Sequence, residues 1–339
     1  MRILIIGGTG LISTAITQAL VQRGEEVVLY NRGRSEYPTP TGVRTLTGDR
    51  TDYPRFEAQM REAGLFDCVI DMVGYAPEDE ESAVRAFRGR TGQFIFCSTV
   101  DVYRKPAPIY PVPEDAPQEG RGDYAANKVR CEAILRRAHE EGAFPVTIIR
   151  PACTLGEGRG PLHSLGGRTT YLDRIRRGKP IVVHGDGSSI WVVCHRDDVA
   201  AAFVAAAGGP HAYGRAYHVT GEEWLTWNEY HRQVAEALGA PEPELVHIPT
   251  DLLARATERA RICLDNFQFN NIFCNDRARA DLGFRYTVTW RENVQRMARW
   301  LDEHGRVEDS ARDPLEDRLI AAWQRLGEGM VQEMAMGEV

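Results

Sequence analysis

Residues 2–13 read RILIIGGTGLIS, and this stretch decides the fold. Arg2–Ile6 is a nearly continuous apolar run, as expected for a strand buried on both faces of a parallel sheet. A glycine-rich turn follows, then a helical pattern that stops at Gly24, then a second apolar run at Val27–Tyr30. This order of strand, glycine turn, helix and strand predicts a dinucleotide-binding unit.

Three small residues of the turn have separate expected roles. Gly7 permits the tight turn, and Gly10 lets the backbone approach a pyrophosphate at the helix N-terminus. The third small position of the motif is Ser13 rather than glycine, and we expect this serine to loosen the helix–strand packing slightly.

Composition narrows the class of protein. The 339 residues are 43% hydrophobic and 26% charged, an ordinary globular balance with room for two domains. A net charge of -7 without a dense basic run argues against nucleic acid or an anionic membrane as a partner. Seven scattered cysteines predict free thiols in a reducing compartment and no metal site. The run Ile3–Ile6 is too short for a signal peptide or membrane span, so we expect a cytoplasmic protein.

Further apolar runs alternate with helical patterns, which predicts a Rossmann-type doubly wound parallel sheet of the α/β class. We assign residues 1–155 to a dinucleotide-binding domain, with residues 192–215 packing back onto it. Residues 156–191 and 216–326 form a smaller mixed α/β C-terminal lobe for the substrate. Residues 327–339 are expected to be a frayed tail.

The end of the second strand bears on the choice of cofactor. An acidic residue there would bind the ribose hydroxyls of NAD, whereas an arginine can accept the 2′-phosphate of NADP. The sequence has Asn31, Arg32 and Arg34 and no acid, which favours NADP over NAD unless both arginines are merely solvated loop charges. Asp49 follows the third strand and is placed to bind the adenine edge.

Two hydroxyls and a tyrosine–lysine pair mark the part of the site where we expect the reaction to take place, which we call the reaction end. Ser98 and Thr99 close the fifth strand, where chemistry collects in a doubly wound sheet. Tyr124 and Lys128 are four residues apart on a helical pattern and therefore share a face. An ammonium beside a phenol lowers the phenol pKa and makes it a usable base. Taken alone, such a spacing is common, and an ordinary exposed pair on a helix surface is then the favoured interpretation.

Several motifs in one order resemble the extended short-chain dehydrogenase/reductase family, the nucleotide-sugar epimerases and dehydratases, over residues 1 to about 300. They are Gly7–Ile12, Ser98–Thr99 before Val102–Tyr103, Tyr124–Lys128, Arg150–Pro151, and Gly185–Gly187 before His195–Ala200. The resemblance implies that Tyr124 is the base, that Lys128 binds the nicotinamide ribose, and that Thr99 contacts the substrate, with Ser98 as the fallback. It also implies hydride transfer from a sugar hydroxyl to the nicotinamide, and a homodimer.

Two positions depart from the family pattern. The Asp–Glu pair that follows the hydroxyl in dehydratases is Val100–Asp101 here, so the usual water elimination is not expected, and Asp101 either assists another step or caps the turn. The arginine that clamps a diphosphate is replaced by Trp191, which has one N–H donor and no charge. Trp191 is predicted either to stack on a sugar ring or to lie in the core. The candidates to supply the missing charge are Arg159, Arg168 and Arg174.

The prediction is therefore an NAD(P)-dependent oxidoreductase or epimerase acting on a sugar-like substrate. A ketoreductase of a non-nucleotide substrate, or a non-enzymatic module that senses NADP or binds RNA, are the alternatives. Tyr75 joins the predicted substrate contacts. The predicted cofactor contacts are Gly7, Gly10, Leu11, Ile12, Asn31, Arg32, Arg34, Asp49, Arg50, Met72, Gly74, Lys128 and Pro151.

Overall fold

The computed structural model describes residues 1–34 and 39–337. The strands are β1 Arg2–Ile6, β2 Glu26–Asn31, β3 Arg44–Thr47, β4 Cys68–Asp71, β5 Phe94–Cys97, β6 Val146–Pro151, β7 Cys153–Leu155, β8 Ile181–His184, β9 Ile190–Trp191, β10 Val193–His195, β11 Ala216–Val219, β12 Leu225–Thr226 and β13 Leu245–Ile248. The α-helices are α1 Leu11–Gln22, α2 Tyr53–Ala63, α3 Pro77–Phe87, α4 Gly122–Glu140, α5 Thr170–Arg176, α6 Arg196–Ala206, α7 Trp227–Ala237, α8 Thr250–Ala256, α9 Asp276–Leu282, α10 Trp290–Glu303 and α11 Leu315–Gly337.

The chain divides into two compact units. The first contains Met1–Thr154, Val192–Glu222 and Ile272–Val288, and the second contains Leu155–Trp191, Glu223–Asn271 and the chain from Thr289 onward. Residues 216–222 and 272–288, which we assigned to the C-terminal lobe, thus belong to the first unit. They include α9, which packs against β11 and α6.

A seven-stranded sheet forms the centre of the first unit, in the order β11-β6-β5-β4-β1-β2-β3, with parallel pairing throughout. This is the predicted Rossmann-type α/β fold. Side chains alternate across β1, so that Ile3 and Ile5 pack in the core with α1 and α6, and Leu4 and Ile6 pack in the opposite core with α2, α3 and α4. Helices on both faces explain why β1 is apolar at every position after Arg2.

The register brings several loops to one edge of the sheet. Ile6, the last residue of β1, pairs with Tyr30 of β2 on one side and with Asp71 of β4 on the other. Residues of β4 pair in turn with β5 up to Phe96. The loops after these four strands therefore lie side by side, and this carboxyl edge is where such sheets bind ligands.

The second unit is built around an aromatic cluster. Trp227 stacks on Trp191 with ring centroids 5.2 Å apart, and Phe267 lies 4.6 Å from Trp227. Short strand pairs, β9 with β12 and β8 with β13, accompany α7 and α10. The first turns of α11 are anchored here, since Arg174 forms ion pairs with Glu316 and Asp317. The helix then continues to Gly337, so the frayed tail predicted from Gly327 is helical as far as Gly337.

Candidate active site

A cavity of about 550 Å³ lies at the carboxyl ends of β1 and β2 and beside the loop after β3; we call it the first cavity. Gly7 forms part of its wall with φ at +81°, and a Cβ there would lie 2.3 Å from Val73 Cγ1. Only glycine fits this position, as predicted from the motif. The predicted residues that line this cavity are Gly7, Gly10, Asn31, Arg32, Arg34, Asp49, Arg50 and Tyr75.

Ser13 ties the glycine turn together, and its expected effect on helix–strand packing stays a prediction. Its hydroxyl accepts a 2.7 Å hydrogen bond from the Gly10 N–H and donates a 2.7 Å bond to the Gly7 carbonyl. The side chain thus bridges the two ends of the turn that leads into α1. A glycine at position 13 would leave both backbone groups to find other partners.

Two arginines follow β2 at the rim of the first cavity. The Asn31 side-chain oxygen accepts a 2.8 Å bond from the Gly33 N–H and so shapes the turn that carries Arg32 and Arg34. Across the cavity, Asp49 accepts bonds from the Thr51 N–H and hydroxyl. These bonds, with a smaller effect of the two arginines, hold the pKa of Asp49 below its ordinary value. The rim thus combines two exposed guanidinium groups with one firmly ionised carboxylate.

Arg50 lines the same cavity as a buried cation. It forms a 3.3 Å ion pair with Asp71 at the end of β4, and it also donates to the Asp79 carbonyl. Its guanidinium lies 4.3 Å from the centroid of the Phe56 ring. The side chain is therefore fixed in place by an acid, a carbonyl and an aromatic face.

A second cavity of about 310 Å³ contains the predicted reaction residues. It shares Gly7, Gly10, Val73 and Tyr75 with the first cavity, so the two cavities adjoin along one wall. Gly74 and Asp101 were predicted for this site and are not among the lining residues. The predicted residues that line the second cavity are Gly7, Gly10, Leu11, Ile12, Met72, Tyr75, Ser98, Thr99, Tyr124, Lys128 and Pro151.

Lys128 is buried and is bonded to the sheet. Its ammonium donates a 2.6 Å hydrogen bond to the Cys97 carbonyl and lies 6.0 Å from the centroid of the Tyr124 ring. Burial raises the pKa of Tyr124 above its ordinary value, with Cys97, Asp101 and Tyr75 acting in the same direction, while a hydrogen bond with Thr99 lowers it. The Tyr124 side chain is 48% exposed, and the predicted lowering of its pKa by the neighbouring lysine stays a prediction.

The three strand-end polar groups have different partners. Ser98 donates a 2.5 Å bond to Glu132, so its hydroxyl is directed to the protein interior. Thr99 caps the short 3₁₀ turn Val100–Val102 by accepting from the Asp101 N–H at 3.2 Å. The Asp101 carboxylate forms a 2.8 Å ion pair with Lys105. Asp101 was expected either to assist a reaction step or to cap this turn. The side chain that caps the turn is Thr99 and not Asp101.

A buried ion pair behind Ser98 was missed from the sequence. Glu132 accepts bonds from Arg150 at 2.8 and 2.6 Å, and Arg150 also donates to the Tyr103 hydroxyl. Burial alone would raise the pKa of Glu132, but Arg150 and Ser98 lower it to about 2. One signal was available: Glu132 continues the four-residue spacing of Tyr124 and Lys128 along one face of α4.

Two predicted substrate contacts lie in the second unit. Trp191 is 5% exposed and packs against Trp227 and Phe267, which matches the core alternative considered for this residue. Its indole N–H has no hydrogen-bond partner within residues 1–34 and 39–337. Arg159 is exposed in the turn that follows β7. A role for either residue in binding substrate stays a prediction.

Known proteins match this arrangement. A family model described as the NAD dependent epimerase/dehydratase family matches residues 3–219. The chain belongs to this family. Like other members of the epimerase/dehydratase family, it is an NAD(P)-dependent enzyme.

Two relatives and one solved structure indicate the breadth of the family. The chain is 27% identical to 2′-dehydrokanamycin reductase of Streptomyces kanamyceticus, over 91% of this chain and 87% of the relative. It is 30% identical to the chloroplast stem-loop binding protein of 41 kDa b of Arabidopsis thaliana, over 73% of this chain and 65% of the relative. The structure of UDP-glucuronic acid 4-epimerase from Bacillus cereus with NAD superposes with a TM-score of 0.69 at 16% identity, over 90% of this chain and 99% of the other.

No helix within the described ranges is both long enough and apolar enough to cross a bilayer. Within the same ranges, no group of three or more histidine, cysteine, aspartate or glutamate side chains is arranged to hold a metal ion.

Proposed function

We propose that this family member transfers hydride between NADP and a hydroxyl or keto carbon of a sugar or sugar-nucleotide, with Tyr124 as the proton-transferring group. The observation that carries the proposal is that Thr99, Tyr124 and Lys128 line one cavity, which adjoins the arginine-rimmed first cavity along a shared wall. A proton-transferring group must lie beside the reacting carbon, and the second cavity provides that proximity.

The residues present fit a dinucleotide. Gly7 and Gly10 line both cavities at the N-terminus of α1, where backbone N–H groups favour a pyrophosphate. Arg32 and Arg34 line the first cavity and suit a 2′-phosphate, which supports NADP over NAD. Lys128, Tyr75 and Pro151 line the second cavity and would hold the nicotinamide end. When bound, the nicotinamide supplies the hydride acceptor or donor.

The chain's own residues handle the proton. Because the pKa of Tyr124 is raised, its phenol carries a proton at neutral pH. A protonated phenol suits donation to the oxygen of a ketone as that oxygen gains charge, with the Thr99 hydroxyl as its hydrogen-bond partner. The reductase relative from Streptomyces supports reduction of a ketone as the direction of a single turnover. An epimerase would use the same phenol in both directions.

Replacement of Tyr124 tests the proposal. Tyr124→Phe removes the transferable proton and should lower the rate of NADPH oxidation by about 10²–10⁴-fold, with the Kd for NADPH within about 2-fold of wild type, or 0.4 kcal/mol. The substrates offered are 2′-dehydrokanamycin and a keto derivative of UDP-glucuronic acid. Tyr213→Phe, which removes a phenol outside both cavities, is the matched control. Full turnover by Tyr124→Phe would reject Tyr124 as the proton donor.

A further inference from the structure

Glu80 is a buried carboxyl group on α3 that the proposed function does not use. Its exposed fraction is 0%, and neither carboxyl oxygen has a hydrogen-bond partner in the part of the chain that the structure describes. The neighbouring Asp79 is different, because its carboxylate accepts from the Tyr75 and Ala76 N–H groups at 2.9 Å each and so caps α3. A buried carboxylate without donors is costly, and the neutral acid is the form that such a site favours.

The Glu80 carboxyl packs against the backbone of Gly74. A Cβ on Gly74 would lie 1.8 Å from Glu80 Oε1 and 2.9 Å from the Phe96 ring. Gly74 therefore has no room for a side chain, and Glu80 supports the segment that leads into Tyr75, whose ring lines both cavities. The Lys128 ammonium lies 4.5 Å from the centroid of the same Phe96 ring and 5.0 Å from that of Tyr75.

Charged groups from several elements face this carboxyl. Burial and the charge of Asp71 raise the pKa of Glu80 well above its ordinary value, while Arg50 and Lys128 act in the opposite direction. With Glu80 neutral, the negative charges of two carboxylates balance the positive charges of Arg50 and Lys128. Ionisation of Glu80 would add a third negative charge. The titratable groups around Glu80 are Asp71 at the end of β4, Arg50 after β3, Lys128 and Cys131 on α4, and Asp79 on α3 itself.

We propose that Glu80 is a positioning residue of the reaction end. As a neutral acid it fills the space behind Gly74, holds the Gly74–Tyr75 segment in place, and adds no third buried negative charge beside Asp71 and Asp79. The inference rests on the proposed function, because Tyr75 and Lys128 are the residues through which Glu80 acts. Glu80 itself lines neither cavity and has no direct part in the chemistry.

Three variants of the full chain test whether Glu80 positions the cofactor site. Glu80→Gln keeps the shape and neutrality of the acid, Glu80→Ala empties the space, and Glu81→Gln is the matched control on the exposed side of α3. In titrations followed by NADPH fluorescence, we expect Glu80→Gln and Glu81→Gln to bind within about 2-fold of wild type and Glu80→Ala to bind about 10-fold more weakly, equivalent to 1.4 kcal/mol.

A pH series distinguishes a role of the neutral acid from a role in packing alone, because packing alone would not depend on pH. A carboxyl whose folded-state pKa is raised contributes stability below its unfolded pKa of about 4.3, and this stability is lost as the pH rises toward the folded pKa. The melting temperature of wild type should therefore fall relative to that of Glu80→Gln between about pH 5 and pH 8, by about 3 °C or more. Glu81→Gln should follow wild type throughout.

A paired variant separates contact from general destabilisation. Gly74→Ala should weaken NADPH binding by about 10-fold, and Gly74→Ala with Glu80→Ala should recover part of that loss, because the added methyl then has room. No recovery in the double variant, together with wild-type NADPH binding by Glu80→Ala and no pH effect in Glu80→Gln, would overturn the inference while leaving the proposed function intact. If wild type itself bound neither NADPH nor NADH, the proposed function would fail instead.

Discussion

The Ser98 hydroxyl donates to the Glu132 carboxylate at 2.5 Å, whereas the adjacent Thr99 hydroxyl accepts from the Asp101 N–H, and Thr99 lines the second cavity with Tyr124. Two neighbouring hydroxyls at the end of β5 thus have different tasks. Ser98 belongs to the buried charge network of the first unit, and Thr99 belongs to the reaction end. This division supports Thr99 over Ser98 as the substrate contact, a ranking that the sequence alone based only on spacing.

Replacing each hydroxyl should therefore have different consequences. Thr99→Val should lower the hydride-transfer rate by about 10²-fold by removing the hydroxyl proposed to act with the Tyr124 phenol, and Thr99→Ser should retain most of the rate. Ser98→Ala should leave the rate within a few-fold and lower the free energy of unfolding by about 1–2 kcal/mol. Steady-state kinetics and urea unfolding measure the two effects. The reverse pattern would assign the substrate contact to Ser98.

The two rim arginines should govern cofactor choice. Arg32→Ala combined with Arg34→Ala should raise the Kd for NADPH by about 10-fold or more and leave the Kd for NADH nearly unchanged, since only NADPH carries the additional phosphate. Arg44→Ala removes an exposed arginine of β3 that does not line the cavity and is the control. Equal effects on both cofactors would exclude phosphate recognition by this pair.

Breaking the buried ion pair should destabilise the first unit. Glu132→Gln leaves the fully buried Arg150 without its carboxylate, and a loss of about 3–5 kcal/mol in the free energy of unfolding is expected. Glu141→Gln removes an exposed carboxylate near the end of the same helix and should change stability by less than about 1 kcal/mol. Denaturation followed by circular dichroism compares the two variants. Similar losses in both would contradict the importance of burial.

Acid should weaken the second unit through its buried histidines. Burial lowers the pKa of His163 to about 3 and that of His184 to about 4. Both take up protons more readily when unfolded, where their pKa is about 6.5, so stability is full above that pH and falls as the pH decreases below it. Each histidine should account for a loss of about 2 kcal/mol at about pH 5.

His163→Phe isolates one of these contributions. The imidazole stacks on Tyr171 with ring centroids 4.7 Å apart, and a phenyl ring can keep that contact. The difference in unfolding free energy between about pH 7 and pH 5 should shrink by about 2 kcal/mol in this variant. Tryptophan fluorescence reports on this unit alone, since all six tryptophans belong to it. An unchanged pH dependence would show that His163 is not the titrating group.

Local patterns predicted much of the fold. The apolar run of β1, the glycine turn and the spacing of Tyr124 and Lys128 depend on short stretches of chain, and the structure has the predicted sheet and brings these residues to one edge of it. What could not be predicted depends on distant partners. Glu80 and Glu132 look like surface residues of their helices until Gly74 and Arg150 are seen beside them.

The wall that the two cavities share consists of Gly7, Gly10, Val73 and Tyr75 and includes none of the groups proposed to choose the cofactor or to transfer the proton. Arg32 and Arg34 line only the first cavity, and Thr99 and Tyr124 line only the second. Mutations that change the nucleotide preference can therefore be separate from mutations that change the chemistry. The shared wall has to suit both the nucleotide and the reaction. A designer could exchange one cofactor for the other at the far rim without rebuilding the reaction end.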